Sequence, residues 1–169
     1  VTVILVEDTR YALSLISAAW FDYPARKLKT IGVTGTKGKT TTTYMIKAIL
    51  EAAGQKTGLI GTNGAVIGEN HYPTKNTTPE SYILQEYFAK MVEAGCRYIV
   101  MEVSSQSYLM HRVDGLFFDY GIFLNISNDH IGPNEHASFE EYLYYKKQLL
   151  KNCRTALVNR DDPHFDAIV

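Results

Sequence analysis

Gly32-Val33-Thr34-Gly35-Thr36-Lys37-Gly38-Lys39-Thr40-Thr41 leads from an apolar run into glycines, a lysine and threonines. A helix-like segment, Tyr44 to Ala53, follows. Strand, Gly-rich turn and helix start in that order are how a chain holds a nucleoside triphosphate. Glycines let backbone N–H groups approach phosphates without a Cβ in the way. Gly35, Thr36, Lys37, Gly38, Lys39, Thr40 and Thr41 are therefore the candidate nucleotide-binding residues. Lys39 can reach the outer phosphates and the Thr40 hydroxyl a phosphate-bound Mg²⁺. The strict pattern G-x-x-x-x-G-K-[ST] wants a glycine at the place of Val33, one position after Gly32. A plain structural turn is the alternative, and the flanking strand and helix favour phosphate binding.

Other residues are placed to act on what the loop holds. Glu102 ends the apolar run Tyr98-Ile99-Val100-Met101, at the strand end where α/β proteins place ligands. It either holds Mg²⁺ with Thr40 or caps the Ser104-Ser105-Gln106 turn. His130, in Asn125-Ile126-Ser127-Asn128-Asp129-His130, is a metal ligand or a solvated loop histidine. Lys146 has Tyr142, Leu143, Leu149 and Leu150 at helical spacing, so it interrupts an apolar stripe. A buried lysine is costly unless paired or chemically altered, and snorkelling is the reading that periodicity favours. Asn76-Thr77-Thr78 reads by default as a helix cap. Arg112 is a candidate carboxylate or phosphate clamp, or an exposed arginine of no special role.

The elements that must position these groups alternate. Thr2 to Val6 reads as a strand, and Asp8 caps a helix with Ala12, Leu15, Ile16 and Ala19 on one face. Pro24 to Lys29 is a connector. The helix carrying Met45, Ile46, Ile49 and Leu50 ends at Gly54. Thr57 to Gly61 is a strand, and 63–72 a hairpin. Thr78-Pro79 caps a helix running to Gly95. Strands follow at 98–103 and 120–126, then a helix from the capping box at Ser138 to about Asn152, and a strand at 155–158. The spacing predicts an α/β fold, a P-loop-type mostly parallel sheet flanked by helices.

At 169 residues with 46% hydrophobic and 21% charged side chains, the chain has enough material for a sizeable core. A formal net charge of −1 argues against nucleic acid or another polyanion held by bulk electrostatics. No apolar stretch is long enough to span a bilayer, and Val1 to Val6 lacks the charged start of a signal peptide. Cys96 and Cys153 lie far apart beside apolar segments, as free thiols in a reducing cytoplasmic compartment would.

Taken together, the phosphate loop, Asn76-Thr77-Thr78-Pro79-Glu80, Met101-Glu102-Val103-Ser104-Ser105-Gln106, His111-Arg112-Val113, Asn125 to His130 and Tyr142-x-x-Tyr145-Lys146-x-x-Leu149 resemble the Mur ligase family. Within it they resemble the branch that adds the third stem-peptide residue of peptidoglycan. The resemblance implies an ATP-dependent amide ligase that phosphorylates a carboxylate and lets an amine attack the acyl phosphate. It implies ATP on Gly35 to Thr41, with Lys39, His130 and Lys146 catalytic. One Mg²⁺ would sit on Thr40 and Glu102 and a second on His130, with Lys146 carbamylated at the metal site. Asn76, Thr77, Thr78, Ser104 and Arg112 would contact UDP-MurNAc-L-Ala-D-Glu, and a free diamino acid would be the second substrate.

By the same resemblance, residues 1–29 are a linker from an N-terminal UDP-binding domain. Residues 30–169 are the N-terminal part of the central ATP-binding domain, and the C-terminal amino-acid-binding domain is absent. Lys37, Gln106 and the Ile131-Gly132-Pro133-Asn134-Glu135-His136 variant look like a Gram-positive branch that often adds L-lysine. Many relatives have a polar residue at the place of Met110, so no substrate contact is assigned there. Folylpolyglutamate synthase shares the loop type and chemistry, but the Asn-Thr-Thr-Pro and Glu-Val-Ser-Ser-Gln segments favour the cell-wall family. A nucleotide-binding paralogue without ligase activity is the alternative from another class.

Overall fold

The computed structural model describes residues 2–129, 131–133 and 135–169. Three parallel strands form the centre. β1 (Lys29–Thr34) lies between β5 (Tyr98–Glu102) and β6 (Phe118–Phe123), and Val33 is opposite Glu102. β2 (Thr57–Gly61) extends the sheet beyond β5, and β7 (Cys153–Val158) beyond β6, both parallel. The hairpin β3 (Gly64–Ile67) and β4 (Asn70–Tyr72) adds antiparallel to β2, giving the order β4-β3-β2-β5-β1-β6-β7.

Helices cover both faces, as buried parallel strands require. On one face Ile31, Val33 and Val100 meet Ile46 and Leu50 of α2 (Lys39–Ala52). Met45 and Ile49 point to solvent, so only half of the expected apolar set faces the sheet. On the other face Ile60, Ile99, Met101 and Phe118 pack with α3 (Ser81–Glu93), through Leu84, Phe88 and Met91. Leu149 of α5 (Phe139–Lys151) joins this cluster. A Cβ on Gly32 would come within 2.8 Å of Leu149 Cδ1, so this glycine belongs to helix packing inside β1 and not to the phosphate loop.

Two expectations at the N-terminus do not hold. Residues 2–6 form no strand, and Val3, Ile4 and Leu5 are exposed. β-Branched residues favour a strand only where a pleated surface exists to receive them, and this sheet ends at β4 and β7 instead. Asp8 does cap α1 (Thr9–Trp20), accepting from the N–H groups of Arg10 and Tyr11. The buried face of α1 is Ser14, Ser17 and Ala18, however, and Leu15, Ile16 and Ala19 face outward. Small side chains let α1 lie close on α3, and Ser14 donates to the Asp114 carbonyl. No helix among the described residues is long and apolar enough to cross a membrane.

Candidate active site

The phosphate loop joins β1 to α2 and is held from the side by the segment after β6. Thr36 N–H donates to the Asn125 carbonyl at 3.0 Å, and Lys37 N–H donates to Asn125 Oδ1 at 3.0 Å. Gly38, with φ of +85°, is the N-cap of α2, a left-handed position that a side chain would strain. The first N–H groups of α2 have no partners within the helix, so an anion is favoured there. Lys39 folds back over the loop, donating to the carbonyls of Gly35 at 2.8 Å and Thr36 at 3.2 Å. Burial holds its pKa below the ordinary lysine value, against the pull of Glu102. Lys37 stays exposed and pairs with Asp129, and Thr41 is exposed.

Glu102 is 1% exposed, and its carboxylate accepts from Thr40 Oγ1 (2.9 Å), Thr62 N–H (3.0 Å) and Thr62 Oγ1 (3.2 Å). A Cβ on Gly61 would lie 2.2 Å from Glu102 Oε1, so a missing side chain makes the room this carboxylate occupies. Glu102 does not cap the following turn. Ser104 does that itself, accepting from Ser107 N–H at 3.2 Å at the start of α4 (Ser105–Leu109). One carboxylate and one hydroxyl beside a phosphate loop suit Mg²⁺, which keeps waters and phosphate ligands and does not need an all-protein cage. No cluster of three His, Cys, Asp or Glu side chains suited to a metal occurs among the described residues. His130 lies outside them.

Lys146 is 2% exposed, which removes the snorkelling alternative. Its Nζ donates to the Gly35 carbonyl at 2.8 Å and lies 4.6 Å from the centre of the Tyr142 ring. Burial, reinforced by the charge of Lys39, pushes its pKa well below the ordinary lysine value, with Asp129 opposing. Tyr142 packs in the core with its hydroxyl 3.2 Å from Thr36 Oγ1, and its pKa is pushed up to about 12 by burial. Ser138 caps α5 as its sequence predicts, accepting from Glu141 N–H at 3.2 Å.

A cavity of about 300 Å³ opens beside this cluster, lined by Lys39, Asn76, Thr77, Ser104, Arg112 and Lys146. The candidate contacts from three separate loops thus meet the two lysines. Thr78 does not line it and is not a helix cap, because α3 starts at Ser81 with Glu80 as N-cap. The buried Thr78 hydroxyl instead donates to the Glu102 carbonyl (2.9 Å) and accepts from Ser104 N–H (3.1 Å), tying this loop to β5. Arg112 pairs with Glu80 at 2.8 Å, and Arg10 pairs with the same carboxylate at 2.6 Å. Sequence reading passed over Glu80 as a partner of Arg112. It also gave no role to Ser105, Gln106 and Glu135, which line the cavity, or to the buried His136. All of them lie in quoted motifs or variants, Glu80 after Asn76-Thr77-Thr78-Pro79, Ser105 and Gln106 after Glu102, and Glu135 and His136 in the variant after Asp129, and that membership was the signal that could have drawn attention to them.

The chain resembles known proteins in both sequence and structure. It is 50% identical over 167 residues to UDP-N-acetylmuramyl-tripeptide synthetase of Lactococcus lactis, covering 98% of this chain and 35% of that protein. It is 48% identical over 170 residues to the UDP-N-acetylmuramoyl-L-alanyl-D-glutamate–2,6-diaminopimelate ligase of Caldanaerobacter subterraneus, covering 100% and 35%. The corresponding L-lysine ligase of Streptococcus thermophilus is 46% identical, with 98% and 34% covered. The chain therefore spans about a third of the length of these relatives. A solved 2,6-diaminopimelate ligase structure superimposes with a TM-score of 0.81 at 27% identity, covering 94% of this chain and 33% of that one. Mycobacterium tuberculosis folylpolyglutamate synthase shares the fold, with a TM-score of 0.74 at 15% identity over 94% and 43% of the two chains. Residues 33–169 match the model of the Mur ligase middle domain, and the chain belongs to the Mur ligase family.

Proposed function

We propose that this chain is the nucleotide-binding part of an ATP-dependent ligase that adds the third amino acid to UDP-MurNAc-L-Ala-D-Glu. The supporting observation is the meeting of Lys39, Thr40, Glu102 and Lys146 around one phosphate loop, beside a cavity lined by Asn76, Thr77, Ser104 and Arg112. Gly35 to Thr41 would hold ATP, and Thr40 and Glu102 a Mg²⁺, whose charge would neutralise the phosphates when bound. Lys39 would leave the Gly35 and Thr36 carbonyls for the outer phosphates. Asn76, Thr77, Thr78, Ser104 and Arg112 would serve the acceptor, Thr78 by fixing Ser104. The acceptor carboxylate would take the γ-phosphoryl group and release ADP; the incoming amine would then attack the acyl carbon and release phosphate.

Lys146 would act as its carbamate. A buried amine whose pKa is pushed below the ordinary lysine value gives up its proton more readily, and the free amine is the form nucleophilic toward CO₂. Its nitrogen bonds to carbon, one proton leaves, and the product is an anion beside Lys39. His130 would hold a second Mg²⁺. The proposed arrangement places residues 1–29 as a linker from a UDP-binding domain and residues 30–169 in the central domain. A further domain would choose the amino acid, L-lysine or diaminopimelate, in the cytoplasm.

Phosphate release by the full-length protein tests the reading. It should require UDP-MurNAc-L-Ala-D-Glu and one amino acid together, and a panel of amino acids would identify the second substrate. Turnover with folate and glutamate would sink it. Lys146→Ala should abolish turnover, with bicarbonate or a short carboxylic acid restoring part of it. The 169-residue chain alone should show little or no ligase activity.

A further inference from the structure

His136 is 0% exposed, in the segment that leads into α5. Burying an imidazole is unfavourable unless its polar atoms are satisfied. Here Nε2 lies 2.8 Å from the hydroxyl of Ser105, itself buried, across 31 positions of sequence. The ring stacks on Tyr145 at 5.6 Å and 29°, and meets Tyr142 at 5.3 Å. Both tyrosines belong to α5, Tyr142 four residues and Tyr145 one residue before Lys146. Ser105 follows Ser104, whose position is set by Thr78 and by the end of β5. The main chain on the other side is closed as well, since Gly132 N–H donates to the His136 carbonyl at 3.2 Å.

The imidazole therefore links the turn after β5, which carries the cavity residues Ser104, Ser105 and Gln106, to α5, which carries the cavity residue Lys146. A phenylalanine would fill the same space and pack on the same tyrosines, but it could not bond to Ser105. We propose that His136 is a positioning residue for the ligase reaction. Through Ser105 and the two tyrosines it sets the distance between the Ser104–Gln106 turn and Lys146, and so between the acceptor and the phosphate loop. This rests on the cavity being the acceptor site.

The test uses the full-length ligase with steady-state phosphate release, ATP affinity and thermal midpoint measured for each variant. His136→Phe and Ser105→Ala should each lower kcat about tenfold while the KM for ATP stays within about twofold, as expected when a single orienting hydrogen bond is lost. The double variant should lose less than the product of the two single losses, because the His136–Ser105 bond is common to both. His136→Gln, which can still reach Ser105, should recover most of the loss. A folded His136→Phe protein with wild-type kcat overturns the proposal, and so do losses that multiply in the double variant. If His136→Phe does not fold, Ser105→Ala decides: wild-type kcat there overturns it equally. Lys39→Ala separates the two levels. Turnover surviving that change would refute the site itself, whereas its loss alongside unaffected His136 and Ser105 variants would refute only the role of His136.

Discussion

Lys39 and Lys146 both donate to one acceptor, the carbonyl oxygen of Gly35, each at 2.8 Å. Two ammonium charges on one partly dry oxygen repel each other strongly. The more deeply buried amine, Lys146, gives way, and its pKa falls well below the ordinary lysine value. Without ATP, then, the two amines share one oxygen, and the deeper of them holds its proton less tightly.

That arrangement has a measurable cost. Lys146→Met should raise the unfolding free energy of the protein at pH 7, in CO₂-free buffer, by about 1–2 kcal/mol, since the desolvation cost of a buried amine, only partly offset by its bond to the Gly35 carbonyl, is removed by a side chain of similar shape. The unfolded lysine keeps its proton up to about 10.5, and the folded one loses it at lower pH. Wild-type stability therefore climbs with pH across that window, and the advantage of the variant should shrink between pH 7 and pH 10. Urea unfolding at both pH values checks this; an advantage that grows with pH would contradict it.

Gly61→Ala should injure the proposed metal site more than the fold. The new Cβ would sit 2.2 Å from Glu102 Oε1, so the carboxylate must move away from Thr40 and Thr62. Overpacking of this kind costs about 1–3 kcal/mol. The Mg²⁺ concentration needed for half-maximal turnover of the full-length protein should rise, with the circular dichroism spectrum unchanged.

Thr78→Val keeps the shape of a buried side chain and deletes its hydroxyl. Ser104 N–H loses its acceptor and the Glu102 carbonyl a donor. Unmet buried hydrogen bonds cost about 1–3 kcal/mol, and urea unfolding should show a loss in that range. A change near zero would mean that water replaces the hydroxyl.

Mg-ATP should stabilise the full-length protein, by about 2.7 kcal/mol at a free concentration one hundred times its Kd. Lys39→Met should lose most of the corresponding rise in thermal midpoint, because the variant keeps the fold but lacks the cation that would face the phosphates. An equal rise in both proteins would remove Lys39 from nucleotide binding.

Much of this molecule was legible in order of sequence. The parallel sheet followed from apolar runs alternating with helical periodicity, and the Gly68-Glu69 turn announced the β3–β4 hairpin. Lys146 stood out because a charge interrupted an apolar stripe. Where reading failed, a local pattern had more than one partner to choose from. Residues 2–6 are mostly β-branched, yet no edge receives them. The outward apolar face of α1 looked like the core-facing one because periodicity marks a face without saying what lies against it, and α3 accepts the small face instead. Thr78 ahead of a proline looked like a cap, but its hydroxyl found stronger partners on β5.

By itself, the sequence determined the nucleotide-type loop, the α/β class and the residues that could do chemistry, because each of these depends on neighbours within a few positions. Tertiary structure alone decided how those residues act on one another. Packing buried Lys146 at the edge of the cavity and aimed it at the same carbonyl as Lys39. Glu102 faces Thr40 because β5 lies beside β1 and Gly61 leaves the space. His136 reaches Ser105 only because α5 folds back over α4, a contact between residues 31 apart that no local pattern encodes.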